Sequence, residues 1–240
     1  MIRHRLLYLL LLLFVISCSS QEQVQQAQTQ DQETQQQSQT PPPFWDEIQA
    51  FKQQDASQMP PKQATLFVGS SSFRMWENMQ EMFPDQQIIN RGFGGSNLLD
   101  LQRYLEDIVL PYYPKQIVIY AGENDIASDT VSAQDVLQRF DQVFTSIRQK
   151  LPEVPITFVS IKPSPSRRKY MPEMQEANAL IRRYLLQKQH TSYVDVYPLM
   201  LTQQGRPRPD IFIADSLHMN QSGYRIWQKA IEPHLTNNKL

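Results

Sequence analysis

A single cysteine, Cys18, stands in the 240 residues, so no disulfide can form within the chain. With no cysteine cluster and no His-Glu-x-x-His pair, a zinc hydrolase is poorly supported, and no metal or cofactor is expected. Charge of one sign is not in excess. Lys and Arg number 23 against 24 Asp and Glu, a net of −1, so there is no bulk electrostatic case for nucleic acid as a partner. A phosphate-cradling Gly-x-x-x-x-Gly-Lys-Ser/Thr loop is missing. The pair Gly92-x-Gly94 lacks the third glycine of a dinucleotide fingerprint, and Asn97 stands in its place. Long apolar runs are missing too. Leu6–Ile16 is eleven residues, too short to span a bilayer as a helix.

That run sits instead between the basic start Met1–Arg5 and Ser17-Cys18, the layout of a signal peptide over residues 1–18. Val15-Ile16-Ser17-Cys18 resembles the lipobox of bacterial lipoproteins. The resemblance implies that Cys18 becomes the new N-terminus and carries acyl chains that anchor the protein stably to a membrane. Ser19 after it resembles the outer-membrane sorting pattern, which implies a place in the bacterial cell envelope, at the outer membrane and facing the periplasm. Residues 19–43 are dominated by glutamine and close on Pro41-Pro42-Pro43. Such a stretch buries too little apolar surface to offset its ordering entropy, so a disordered tether is expected. A domain of residues 44–240 remains.

Within it, short apolar β-branched runs alternate with helical patterns. Strands are predicted at Thr65–Val68, Gln87–Ile89, Gln116–Tyr120, Ile156–Ile161 and Tyr193–Val196. Helices are predicted at Leu98–Leu110, Ala133–Leu151, Glu173–Lys188 and from Gly223 to about His234. Strands that are apolar throughout fit a parallel sheet covered on both faces. The expected fold class is therefore α/β, a three-layer α/β/α sandwich with a five-stranded, mostly parallel sheet.

In open parallel sheets, ligands bind beyond the carboxyl ends of the strands, which directs the search to the segments after them. After the first strand comes Gly69-Ser70-Ser71-Ser72, a turn glycine with serines at a helix start. After the second comes Asn90-Arg91-Gly92-Phe93-Gly94-Gly95-Ser96, whose glycines let backbone N–H groups approach a ligand closely. After the third comes Gly122-Glu123-Asn124-Asp125, and far downstream Asp215-Ser216-Leu217-His218. Each has a bland reading: helix cap, turn glycine, Asx turn, surface pair. Of the four histidines, His218 alone has an acid at local spacing, so a histidine base, if the chain uses one, is His218.

In order and context, these four blocks resemble the SGNH (GDSL-type) hydrolase superfamily, a flavodoxin-like fold, over Leu66 to about Leu235. The more local likeness is to a bacterial branch whose Gly-Ser-Ser-Ser block is followed by Arg-x-Trp, here Arg74-Met75-Trp76. The resemblance implies an esterase without cofactor. It implies Ser71 as nucleophile, His218 as base and Asp215 as the acid that orients it. The N–H groups of Ser71 and Gly95 and the Asn124 amide would form the oxyanion hole, with Gly94 the alternative to Gly95. Ser70 departs from the aspartate most relatives carry there, and Ser72 is expected to help start the helix. The substrate class is an acyl or acetyl ester of a lipid or glycan. Arg74 and Lys162 are candidates for a cationic substrate rim, against a bland reading in which Arg74 forms an ion pair and Trp76 packs in the core. A non-catalytic carbohydrate- or lipid-binding lipoprotein on the same scaffold is the second reading.

Overall fold

A computed structural model of the chain describes residues 41–236. The expected signal segment, Cys18 and the glutamine-rich stretch to Thr40 lie outside the described residues. The chain divides at Pro43–Phe44, and the unit from Phe44 onward is the one with the sheet.

Five strands, β1 (Thr65–Gly69), β2 (Ile88–Gly92), β3 (Gln116–Tyr120), β4 (Ile156–Val159) and β5 (Thr191–Val194), pair in the order β2-β1-β3-β4-β5. All four pairings are parallel. Period-two alternation sends successive side chains to opposite faces. Leu66, Val68, Ile117, Ile119, Ile156 and Phe158 join one apolar cluster. Phe67, Val118, Tyr120, Val159 and Val194 join the other. The first face is covered by α4 (Leu98–Ile108), α6 (Ala133–Lys150) and α7 (Met171–Leu185). The second is covered by two short helices, α2 (Ser71–Arg74) and α3 (Met79–Met82), and by α8 (Gln221–Ile231). A one-turn helix, α5 (Glu123–Ile126), follows β3. The three-layer α/β sandwich is thus the fold, with every ladder parallel.

Local chemistry sets the helix starts. Asn97 accepts from the Asp100 N–H at 3.0 Å while Asp100 accepts from the Asn97 N–H at 3.1 Å, a reciprocal capping box at α4. Ser132 and Asp135 make the same device at α6. Two strands differ from the apolar pattern. β2 runs on through Asn90 and Arg91, which pair with Phe67 and Val68, because the buried Arg91 is satisfied by Asp55 and Tyr112. β5 begins at the polar Thr191 and Ser192, since an edge strand is buried on fewer sides.

The first helix, α1 (Trp45–Ser57), has no counterpart among the expected helices. Ile48 is its one fully buried residue, and it docks largely through polar groups. Lys52 pairs with Asp107 at 2.9 Å, Asp55 takes Arg91 and Tyr112, and Glu47 reaches the β2 loop. A hydrophobic stripe was the signal to look for, and this helix has little of one.

Candidate active site

The strand order places β1 between β2 and β3, so the chain turns away in opposite directions on the two sides of β1. That is the switch point at which an open parallel sheet forms a crevice. Ser71, Gly95 and Asn124 lie just beyond the ends of these three strands.

Gly69 ends β1 at φ +136°, where a Cβ would stand 1.9 Å from the Tyr120 carbonyl oxygen. No side chain fits there, and the sharp turn delivers Ser71 as the first residue of α2. Ser70 occupies the N-cap position without a side-chain cap, and its carbonyl accepts from the N–H groups of Phe73 and Arg74. Ser72, expected to help start the helix, is its second residue and is buried.

Asp215 and His218 come together in a turn rather than on a helix. Ser216 adopts a left-handed φ of 58°, and Asp215 Oδ1 accepts from the N–H groups of Leu217 and His218, each at 2.9 Å. Oδ2 then meets His218 Nδ1 at 2.6 Å. Burial alone would push the Asp215 carboxyl up, but hydrogen bonds from the His218 ring and the two backbone N–H groups outweigh it and hold it at about 2. A carboxylate facing Nδ1 fixes the tautomer with the proton on that nitrogen, which leaves Nε2 as an acceptor. His218 Nε2 lies 2.9 Å from Ser71 Oγ. Ser71, Asp215 and His218 are thus brought into one chain of hydrogen bonds from segments 147 residues apart.

Asn124 Nδ2 donates to the Ser96 carbonyl at 2.9 Å and is the nearest atom, at 3.9 Å, to a Cβ built on Gly95. The Gly94 N–H is already engaged, donating to Glu47 Oε2 at 3.0 Å. The N–H groups of Gly95 and Ser71 have no partner among the described residues. Of the two adjacent glycines, Gly95 therefore keeps a donor to offer.

Lys162 is not on a rim. It is wholly buried, and its ammonium bonds both oxygens of Glu123, at 2.9 and 2.8 Å. The rim expectation fails for Lys162 because an ammonium beside a buried carboxylate goes inward. Burial would raise the Glu123 carboxyl, yet Lys162 and Arg167 together hold it below its ordinary value. Tyr120 donates to the same carboxylate at 2.5 Å. Arg74 is half-exposed and pairs with Glu47 at 3.4 Å, while Trp76 is buried and stacks on Tyr224 with ring centroids 4.9 Å apart. That is the bland reading of both residues.

Residues 62–226 match the model of the GDSL-like Lipase/Acylhydrolase family. The chain belongs to this family. It is accordingly an ester-hydrolysing enzyme. Solved structures carry the same fold. One is a protein from Streptococcus pneumoniae provisionally named a platelet activating factor, with TM-score 0.70, 22% identity, and 80% of this chain and 92% of that one covered. A GDSL-like lipase from Bacteroides thetaiotaomicron gives TM-score 0.66 at 19% identity, covering 78% and 96%. A variant of an acetyl xylan esterase from Geobacillus stearothermophilus gives 0.60 at 12%, covering 75% and 98%. Among curated protein sequences there is no significant match.

Two residues of this GDSL-like acylhydrolase stand in the site without having been picked out for what they do there. Glu47, on α1, takes both the Gly94 N–H and Arg74, and nothing in its local sequence marks it. Arg167 belongs to the loop after β4 and donates from Nη2 to Asn124 Oδ1 at 2.7 Å. Its Nη1 lies 3.7 Å from Glu123 Oε1, is buried, and makes no hydrogen bond among the described residues. An unmet buried donor costs about 1–3 kcal/mol, so the arrangement needs a reason.

Proposed function

We propose that this enzyme is a lipid-anchored serine esterase of the bacterial envelope, with Ser71 as nucleophile, His218 as base and Asp215 as the acid that orients it. The observation that carries the reading is the pair of contacts at His218, 2.9 Å to Ser71 Oγ and 2.6 Å to Asp215, beside the donors of Asn124 and Gly95. Ser71 Oγ attacks the ester carbonyl while its proton passes to His218 Nε2. The new negative charge on the carbonyl oxygen is met by the N–H groups of Ser71 and Gly95 and by the second N–H of Asn124. Collapse breaks the C–O bond, and the imidazolium gives its proton to the departing alcohol. Water, deprotonated by His218, then frees the acid and restores Ser71. Asp215 keeps the imidazole in its tautomer and stabilises the imidazolium while remaining ionised.

For substrate we propose acyl or acetyl esters of lipids or glycans. The acetyl xylan esterase of the same fold is consistent with the glycan arm of that class. Cys18, by its lipobox resemblance, would hold the enzyme by acyl chains at the outer membrane, facing the periplasm. No described helix is long and apolar enough to cross a membrane.

The test is a panel of acetyl, long-acyl and glycan esters, run beside labelling with a serine-directed fluorophosphonate on wild type and Ser71→Ala. Turnover that vanishes in Ser71→Ala together with the label supports the mechanism. Turnover that persists in Ser71→Ala would overturn the nucleophile, and no turnover with an unlabelled Ser71 would favour a binding protein on a hydrolase scaffold.

A further inference from the structure

We infer that Arg167 is the positioning residue of the oxyanion hole: it locks the Asn124 side chain so that an N–H, and never the carbonyl oxygen, faces the developing negative charge. The inference rests on the role proposed for Asn124.

The amide of an asparagine has two ends of nearly equal size and a broad, two-fold terminal torsion. Left alone, Asn124 could present oxygen to the site, which would repel an oxyanion. Two contacts decide which end goes where. A guanidinium has only donors, so the 2.7 Å contact of Arg167 Nη2 requires Oδ1 at that position. A carbonyl only accepts, so the 2.9 Å contact at Ser96 requires Nδ2. Turning the amide over would set donor against donor and acceptor against acceptor at once. With one N–H engaged by Ser96, the other is left for the oxyanion. The Arg167 contact is charge-assisted and the stronger of the two.

The placement of the guanidinium fits this task. A carboxylate normally draws a guanidinium into a paired, two-bond fork. Here Glu123 holds Arg167 at 3.7 Å without a hydrogen bond, its oxygens being taken by Lys162 and Tyr120. The short contact goes to Asn124 instead. The backbone pins the loop as well: the Arg167 N–H donates to the Ser164 carbonyl at 3.2 Å, and the Ser166 N–H to the Ser216 carbonyl at 3.1 Å. The loop thus touches the Asp215 turn on one side and Asn124 on the other.

The experiment compares wild type, Arg167→Met, Arg167→Lys, Asn124→Ala and Asn124→Ala/Arg167→Met as full chains in detergent, with p-nitrophenyl acetate as substrate. Asn124→Ala should lower kcat about 10²–10³-fold, and Arg167→Met by about ten- to a hundredfold with KM moving by less than about threefold. The double variant should be no slower than Asn124→Ala, and Arg167→Lys should regain part of the loss. Multiplicative losses in the double variant, or a raised KM with kcat unchanged, would overturn the inference by showing that Arg167 acts on something other than Asn124. The ¹⁵N–¹H signals of the Asn124 side-chain amide, identified by their loss in Asn124→Ala, read the lock without any turnover. They should shift and broaden in Arg167→Met, and signals that stay sharp and unmoved would overturn it. Failure of the proposed function is a separate result, recognised by an unlabelled Ser71 in wild type.

Discussion

Lys162→Met removes the buried cation that neutralises Glu123, and the structure sets the size of the effect. Lys162 is fully buried and Glu123 is 4% exposed, so the variant strands a carboxylate where water cannot reach it. Removing one partner of a buried pair typically costs about 3–5 kcal/mol. Tyr120 at 2.5 Å and Arg167 at 3.7 Å remain to Glu123, which places the expected cost at the lower end, about 3 kcal/mol. For a domain of this size that is a fall in Tm of roughly 6–12 °C. The pH dependence has a definite sign. In wild type the Glu123 carboxyl is held below its ordinary 4.5, so its contribution is present above that pH and fades on acidification. In Lys162→Met burial dominates, the carboxyl rises, and taking up a proton relieves the variant. The deficit should therefore be largest near pH 8 and narrow towards pH 5, measured by urea unfolding at both. Replacing Glu123 as well should cost less than the sum of the single losses. A deficit below about 1 kcal/mol at pH 8, or one that does not change with pH, would refute the buried charged pair.

The adjacent glycines should behave oppositely. A Cβ on Gly94 would meet the Phe44 ring at 2.2 Å with φ at +30°, so Gly94→Ala should lose about 1–3 kcal/mol of stability in a thermal melt. A Cβ on Gly95 finds nothing closer than Asn124 Nδ2 at 3.9 Å, and alanine keeps the backbone N–H, so Gly95→Ala should melt normally and hold kcat within about tenfold of wild type. Asp215→Asn should lower kcat by about a thousandfold or more. Because the native carboxyl sits at about 2, its stabilisation is present above its ordinary 3.8 and lost as pH falls towards 2, so the stability gap between Asp215→Asn and wild type should shrink over that interval. In cells fed an alkynyl palmitate, the wild type should take up label and Cys18→Ser should not, and equal labelling would remove the anchor.

The fold was legible because burial on both faces makes parallel strands apolar throughout, and β3 was readable to the residue from Gln116 to Tyr120. Legibility failed where polar groups do the packing. β2 is carried onward by Asn90 and Arg91, and α1 docks by Glu47, Lys52 and Asp55, none of which alters hydrophobic periodicity. The four site blocks could be found because each follows a strand or closes a turn and so has a local signature. Arg167 and Lys162 share one loop and one charge, yet one supports Asn124 and the other vanishes into the core. Sequence shows the charge of a side chain; which carboxylate or amide it meets depends on contacts 39 and 43 residues away.

The Glu47 contact has a practical bearing on where the chain can be cut. A fragment trimmed to the span that matches the family, residues 62–226, would discard α1 and with it the acceptor of the Gly94 N–H. It would also sever α8 just before Trp227 and Ile231, both fully buried. Such a fragment would keep Ser71, Asn124, Asp215 and His218 and could still fail in an assay, for want of the helix that steadies the glycine loop. Expression boundaries are better set at Pro43 and beyond Leu235, so that an inactive preparation reports on chemistry and not on the scissors.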